Sequence, residues 1–128
     1  VPPGPAGGGG GLARGGVASL AAGPAPPFAA GDTHLQAVEL LRDPSHVRDY
    51  TEVEWCTMLQ QAGFTITTIT KARLRLNFAD WIARMRTTPD RAAAIRTLQG
   101  LASSEVAGHF AIEPDGSFTV DTLLIEAT

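Results

Sequence analysis

Between Thr33 and Asp43 the chain reads THLQAVELLRD, with apolar residues at Leu35, Val38 and Leu41 and with Ala37 and Leu40 alongside. That three-and-four spacing predicts an amphipathic helix, with Asp32 or Thr33 as its cap and Pro44 as its stop. After the loop PSHVRDY the helical period resumes at Trp55, Met58, Leu59 and Ala62. The start of this second helix is strongly marked. Thr51 and Glu54 stand at capping-box spacing, and Tyr50 and Trp55 fall where a hydrophobic staple would put them. Glu52 and Glu54 suit the positive end of the helix dipole, and Gly63 sits at the residue after the end. The segment FTITTITKARLRL then changes period. It is rich in β-branched residues with partial alternation, which predicts a strand from Phe64 to about Thr70 or beyond. Helical spacing returns in NFADWIARMRTT, capped by Asn77, with Phe78, Trp81, Ile82 and Met85 as the buried stripe. It returns again after Thr88, with Pro89 in the first position and a stripe of Ile95, Leu98, Leu101 and Ala102. The final segment, HFAIEPDGSFTVDTLLIEAT, predicts two strands around an Asp115–Gly116 turn. The last strand has apolar Leu123, Leu124 and Ile125 on both faces, as expected of a strand inside a sheet.

The predicted order is helix, loop, helix, strand, two helices, short strand, long strand. A strand buried on both faces calls for more neighbours than this order supplies. Upstream, residues 1–32 are half glycine and proline, and half of the rest is alanine. Such a segment has too little apolar side chain to offset the entropy of ordering it, and its glycines make it flexible. Residues 1–32 are therefore expected to be disordered, with residues 33–128 forming the folded region. A cofactor-binding glycine loop would need a hydrophobic strand leading in and a helix leading out. VPPGPA cannot be a buried strand, because proline lacks the ladder donor, and no GxxxxGK[ST] pattern occurs.

At 128 residues the chain makes one domain at most. Ten basic against thirteen acidic residues, with no basic block, removes the electrostatic footprint of nucleic-acid binding. No stretch approaches the ~18 apolar residues of a membrane span. Residues 12–30 are weakly apolar but broken by glycine and proline, without the charged leader of a secretory signal. The single Cys56 excludes an internal disulfide and a multi-cysteine zinc site. On a helix face it reads as a small buried hydrophobe, and it fits a reducing, cytoplasmic setting. His34 and His109 have no ligand partners at metal-binding spacing, so no metal is expected. Asp121, among apolar neighbours, is expected at the exposed end of the sheet.

Chemistry concentrates in LRDPSHVRDYTEVEW. Helix initiation accounts for Thr51, Glu54, Tyr50 and Trp55, which leaves Arg42, Asp43, His46, Arg48 and Asp49. His46 suits proton transfer to or from a substrate, and Arg48 suits a carboxylate or phosphate. Alternatively, His46 fixes the loop by hydrogen bonding and Arg48 pairs with Asp43, Asp49 or Glu52. Trp81 and Arg84 are further candidates for substrate contact, although the helical spacing of Trp81 with Phe78 and Met85 favours a core role.

The run LRDPSHVRDYTEVEWCTMLQQAGF, then a β-rich strand, then FADWIARMRTTPD and a final strand, resembles the C-terminal part of class I S-adenosylmethionine-dependent methyltransferases, of the small-molecule type with an RDPSHVR…W…L…AGF segment. The likeness covers roughly residues 35–128. It implies an α/β fold: the C-terminal part of a Rossmann-like sheet with a reversed antiparallel hairpin at one edge. Phe64 onward would be the sixth strand. Phe118–Glu126 would lie antiparallel between the fifth and sixth, and Asn77–Ser103 would be an insertion near the substrate mouth. The resemblance also implies S-adenosylmethionine as cofactor and a small molecule as methyl acceptor. Catalysis would involve His46, and substrate binding would involve Arg48, Tyr50, Trp81 and Arg84. The family binds its cofactor through a glycine-rich turn after the first strand and an acidic residue after the second. Neither occurs here, and the fifth strand is replaced by the Gly/Pro/Ala tract. The chain is therefore expected to be a truncated, mis-started or degenerate transferase without activity of its own. The competing expectation is a non-enzymatic binding or assembly module that pairs, for instance as a homodimer, through an open sheet edge.

Overall fold

The computed structural model of the protein describes residues 17–128. In chain order it has strand β1 (Ala18–Ala22), helices α1 (Ala29–Arg42) and α2 (Glu52–Gln61), strand β2 (Ile66–Leu76), helices α3 (Phe78–Arg84), α4 (Pro89–Leu101) and α5 (Ser104–His109), and strand β3 (Phe118–Ala127). The sheet order is β1-β3-β2. β3 runs antiparallel to β1, with Ala18 opposite Ala127, Leu20 opposite Ile125 and Ala22 opposite Leu123. On its other side Thr65 and Thr128 exchange both backbone hydrogen bonds, at 2.8 and 2.9 Å, and the Thr67 hydroxyl donates to the Glu126 carbonyl. Such a reciprocal pair makes β2 antiparallel to β3 as well. The last strand therefore lies between its two neighbours, as expected.

Two expectations about the sheet are corrected. Residues 1–32 do contain regular structure: Ala18–Ala22 is a strand and α1 already begins at Ala29. The part of that segment before residue 17 lies outside the described residues. A five-residue strand of small side chains has little intrinsic signal, and it is held here by the ladder it makes with β3. Gly31, which reads as a helix breaker, is buried inside the first turn of α1. The ring of Phe28 occupies the space a side chain would need, its nearest atom 2.5 Å from where a Cβ would stand. The second correction concerns the predicted hairpin. The Asp115–Gly116 turn exists, with Gly116 N–H bonded to the Glu113 carbonyl and φ +94° at Gly116. No strand leads into it, because Ser104–His109 is helical, capped by the Ser103 hydroxyl.

The chain forms two compact units. One comprises the described part of Val1–Pro24, together with Tyr50–Ala72 and Asp121–Thr128. In its core Trp55 and Leu59 of α2 pack with Leu123 and Ile125 of β3, and Leu20, Tyr50 and Phe64 pack around them. Leu123, Ile125 and Ala127 of β3 are buried, whereas on the opposite face Thr122 and Glu126 are half-buried and Leu124 is 37% exposed. Within the described residues the second face is therefore only partly covered, while the strand's central position holds. The capping box of α2 is complete. Thr51 Oγ1 accepts from Glu54 N–H at 3.2 Å and Glu54 Oε1 accepts from Thr51 N–H at 3.0 Å. The Tyr50 and Trp55 rings meet edge-on at 5.5 Å. Cys56 is half-buried beside this core, and burial followed by the charge of Glu52 raises its pKa, so it is a poor nucleophile.

The other unit, Ala25–Asp49 and Arg73–Val120, has a core of Leu35, Val38, Phe78, Trp81, Ile95, Val106, Phe110 and Phe118. α3 begins where expected, with Asn77 Oδ1 accepting from Asp80 N–H at 3.0 Å. Two members of the predicted stripes lie outside the core: Leu101 is 77% and Met85 41% exposed. No helix among the described residues is long and apolar enough to cross a membrane.

Thr51→Ala should cost about 0.5–2 kcal/mol, the usual range for a lost cap, and equilibrium denaturation in urea measures it. A second outcome concerns His34, whose ring lies 5.2 Å from that of Phe110. Burial lowers its pKa below the ordinary 6.5. The unfolded chain therefore takes up a proton there before the folded chain does. Stability is full above that ordinary value and falls as pH drops through it. Because the raised Glu39 acts in the opposite sense over the same range, the difference between wild-type and His34→Gln melts, followed from pH 8 to pH 5, should show this loss.

Candidate functional site

α1 carries Asp32, Gln36 and Glu39 at steps of four and three, which places them on one helix face beside the buried Leu35 and Val38. The loop 43–49 folds back onto that face. It begins where Asp43 Oδ1 accepts from both the N–H and the hydroxyl of Ser45, at 3.0 and 2.7 Å. Those bonds hold the Asp43 carboxyl below the usual carboxylate range. His46 N–H then bonds to the Asp43 carbonyl at 2.9 Å. This turn delivers the His46 and Asp49 side chains to Gln36 and Glu39.

Gln36 organises the cluster. Its amide nitrogen donates to Asp32 Oδ1 at 2.8 Å and to the Asp49 carbonyl at 3.0 Å. Both partners only accept, so the amide orientation is fixed by chemistry. Its Oε1 then accepts from Asp49 N–H at 3.1 Å and faces His46 Nε2, also at 3.1 Å. An oxygen accepts, so Nε2 carries the hydrogen, and in the neutral ring Nδ1 keeps a lone pair. Nδ1 points to Glu39 Oε2 at 3.4 Å, and Asp49 Oδ2 lies 3.5 Å from Nε2. The three side chains are largely covered, at 16% exposure for His46, 24% for Glu39 and 15% for Asp49. Asp49 Oδ2 is buried and receives no hydrogen bond from a fixed donor among the described residues. Burial, then a side-chain hydrogen bond and the charge of Asp49, push Glu39 up to about 9, with Arg42 acting in the opposite sense. Glu39 therefore carries a proton at neutral pH, and its hydroxyl serves the neighbouring carboxylate. One ligand atom from each of Glu39, His46 and Asp49 lies within 4.8 Å of the others.

The other predicted site residues fall in different surroundings. Arg48 pairs with Asp32 at 3.6 Å, and its side chain is 43% exposed. Tyr50 is half-buried in the staple described above. Trp81 takes the core role that its spacing favours: it is 2% exposed, edge-on to Phe118 at 4.9 Å, with the Arg42 guanidinium 4.8 Å above its ring. Arg42 also donates from Nε to the Trp81 carbonyl at 2.8 Å and accepts at its own carbonyl from the Thr87 hydroxyl at 3.0 Å, so it serves as a structural tie. Arg84 borders a shallow depression with Asp80 and Ala83. A larger hollow of about 520 Å³ lies between Ala29, Thr33, His34, Leu98, Leu101 and Val106. Sequence reading missed Gln36 and Glu39. Their signal was the polar stripe Asp32–Gln36–Glu39 running beside the apolar one.

The fold is methyltransferase-like. A candidate methyltransferase of Bacillus halodurans C-125, BH2331, superposes with a TM-score of 0.81 and 28% identity, over 88% of this chain and 55% of that one. The YcgJ protein of Bacillus subtilis superposes at 0.80 with 31% identity, over 88% of this chain and 50% of that one. In sequence, the uncharacterised protein YafE of Escherichia coli K12 is 44% identical over 96 residues, which are 75% of this chain and 46% of YafE. The uncharacterised methyltransferase YcgJ of Bacillus subtilis 168 is 35% identical over 81 residues, 63% of this chain and 32% of YcgJ. The chain thus spans less than half the length of these curated relatives. No family model matches it.

Replacing Gln36 by Leu removes four hydrogen bonds and leaves partly buried groups unpaired. It should cost about 2–4 kcal/mol, at roughly 1 kcal/mol per bond. Arg48→Ala should cost under about 1 kcal/mol, as for an exposed ion pair. Chemical denaturation compares the two, and equal effects would refute the keystone role of Gln36.

Proposed function

We propose that these residues form the C-terminal part of a class I S-adenosylmethionine-dependent methyltransferase acting on a small molecule, and that they do not transfer a methyl group by themselves. The observation that carries this reading is the sheet order β1-β3-β2 with an antiparallel middle strand. It is supported by TM-scores of 0.8 to chains about twice as long as the matched part. β1 occupies the place of the fifth strand in that arrangement. Among the described residues nothing pairs with its outer edge, and the sheet face bearing Ser19, Ala21 and Leu124 is exposed.

The described residues do not fit the cofactor. Gly23 is the described glycine that directly follows a strand, and Pro24, Pro26 and Pro27 follow it before α1 begins. Gly63 and Gly116 serve a helix end and a tight turn. Neither a glycine turn between strand and helix nor an acidic residue after a parallel strand is present among them. No step of methyl transfer is therefore assigned to this chain.

On this reading the 43–49 loop and Arg84 are the substrate-facing parts. Arg48 and Arg84 recognise an anionic group on the acceptor. His46 fixes the loop that carries Arg48, with both its ring nitrogens facing groups of the fold. Direct methyl displacement needs alignment more than a base. Tyr50 contributes its hydroxyl at the end of the same loop, and a reducing, cytoplasmic setting suits the unpaired Cys56. A second reading, edge-to-edge pairing as a homodimer without catalysis, is favoured by the β1 edge that has no partner among the described residues.

Titrating the chain with S-adenosylmethionine in a calorimeter should give no micromolar binding, and micromolar affinity would overturn the proposal. In a chain completed with the N-terminal half of a relative, Arg48→Ala should weaken acceptor binding about tenfold, as for one lost charged hydrogen bond. Gel filtration separates the second reading: a dimer supports pairing, and a monomer with a cooperative melt removes it.

A further inference from the structure

The Glu39–His46–Asp49 cluster has a geometry that neither loop fixation nor methyl transfer uses. Three features of it converge. First, His46 Nδ1 and Glu39 Oε2 are 3.4 Å apart. Two ligands about 2.1 Å from a tetrahedral zinc ion stand roughly 3.4 Å from each other. One ligand atom from each of the three residues lies within 4.8 Å of the others; Asp49 Oδ2 itself stands 3.5 Å from Nε2 and has to turn to the Nδ1 side to join Glu39 on one ion. Second, the imidazole is already oriented. Its Nε2–H is held by the Gln36 amide oxygen, which leaves the Nδ1 lone pair facing Glu39. A histidine ligand almost always donates its other ring N–H to an oxygen acceptor in this way. Third, Asp49 Oδ2 is buried with no fixed hydrogen-bond donor, an acceptor in a place where a cation would satisfy it.

We infer that His46 Nδ1, one Glu39 oxygen and Asp49 Oδ2 bind a divalent transition-metal ion of the zinc type, with Gln36 positioning the imidazole from outside the coordination sphere. One imidazole nitrogen and two carboxylate oxygens suit Zn2+ or Mn2+ and give no thiolate for softer ions. Three protein ligands leave a fourth tetrahedral position for water. Polar neighbours close the site: Gln36 and Asp49 N–H on one side, and Arg42 on the helix of Glu39. No spacing along the chain marks such a site, because Glu39 and Asp49 reach His46 only once the loop turns back on α1. The inference stands independently of the methyltransferase reading.

The test is calorimetric titration of the 128-residue chain with Zn2+ alone, with Mg2+ as control and a parallel thermal melt. One equivalent of Zn2+ should bind and raise the melting temperature, while Mg2+ at the same concentration should not. Glu39→Gln and Asp49→Asn, which keep size and shape, should each weaken binding at least tenfold, and Cys56→Ser should leave it unchanged. Gln36→Leu should weaken it about 10- to 100-fold, the range for loss of a group that orients a ligand. If a variant fails to fold by circular dichroism, Co2+ added to the wild-type chain decides. Tetrahedral visible bands without a sulfur charge-transfer band support the site. No heat with Zn2+, or binding undiminished in both carboxylate variants, overturns it and marks an adventitious ion only.

Discussion

The structure depends on the double pairing of β3. A strand with hydrogen-bonded neighbours on both sides satisfies every backbone N–H and C=O along its paired length. It also fixes which of its side chains face inward. In β3 that choice sends Leu123, Ile125 and Ala127 into the core with Trp55 and Leu59. A slip of one residue would place Leu124 and Glu126 there instead. The register with β1, Ala18 opposite Ala127, therefore decides more than the position of one short strand.

The local elements were largely legible because their signals are local. The capping box at Thr51 and Glu54, the Tyr50–Trp55 staple, the Asn77 cap and Pro89 at a first helical position all lie within five residues of what they control. β1 was not legible. VASLAA lacks the β-branched and aromatic residues that mark a strand, and its order comes from partners more than a hundred residues away. The missing strand before the Asp115–Gly116 turn has a comparable cause. HFAIE alternates like a strand, but Phe110 is needed in the core beside Val106 and Trp81, and a helical turn is what brings it there.

The site was half legible. His46, Arg48 and Asp49 stood out as polar residues that helix initiation did not explain, and the loop they occupy does close on a cluster of ionisable groups. What it closes on was hidden, because Gln36 and Glu39 look like ordinary solvent-facing positions of an amphipathic helix. Only the turn built on Asp43 and Ser45 reveals that this face is covered. The same closure explains why Arg48 reaches Asp32, one helix turn before Gln36.

The pairing of β1 with β3 also sets an order of events. A contact that joins residue 18 to residue 127 cannot form on the ribosome until nearly all of the segment between them has emerged. Closing a loop of that length carries a large entropic cost that only long-range contacts repay. Until then β1 is a small-residue stretch with no partner, and β2 is a long strand without its neighbour. The helices can form as they are made, but the sheet is assembled last, by the arrival of its own middle strand.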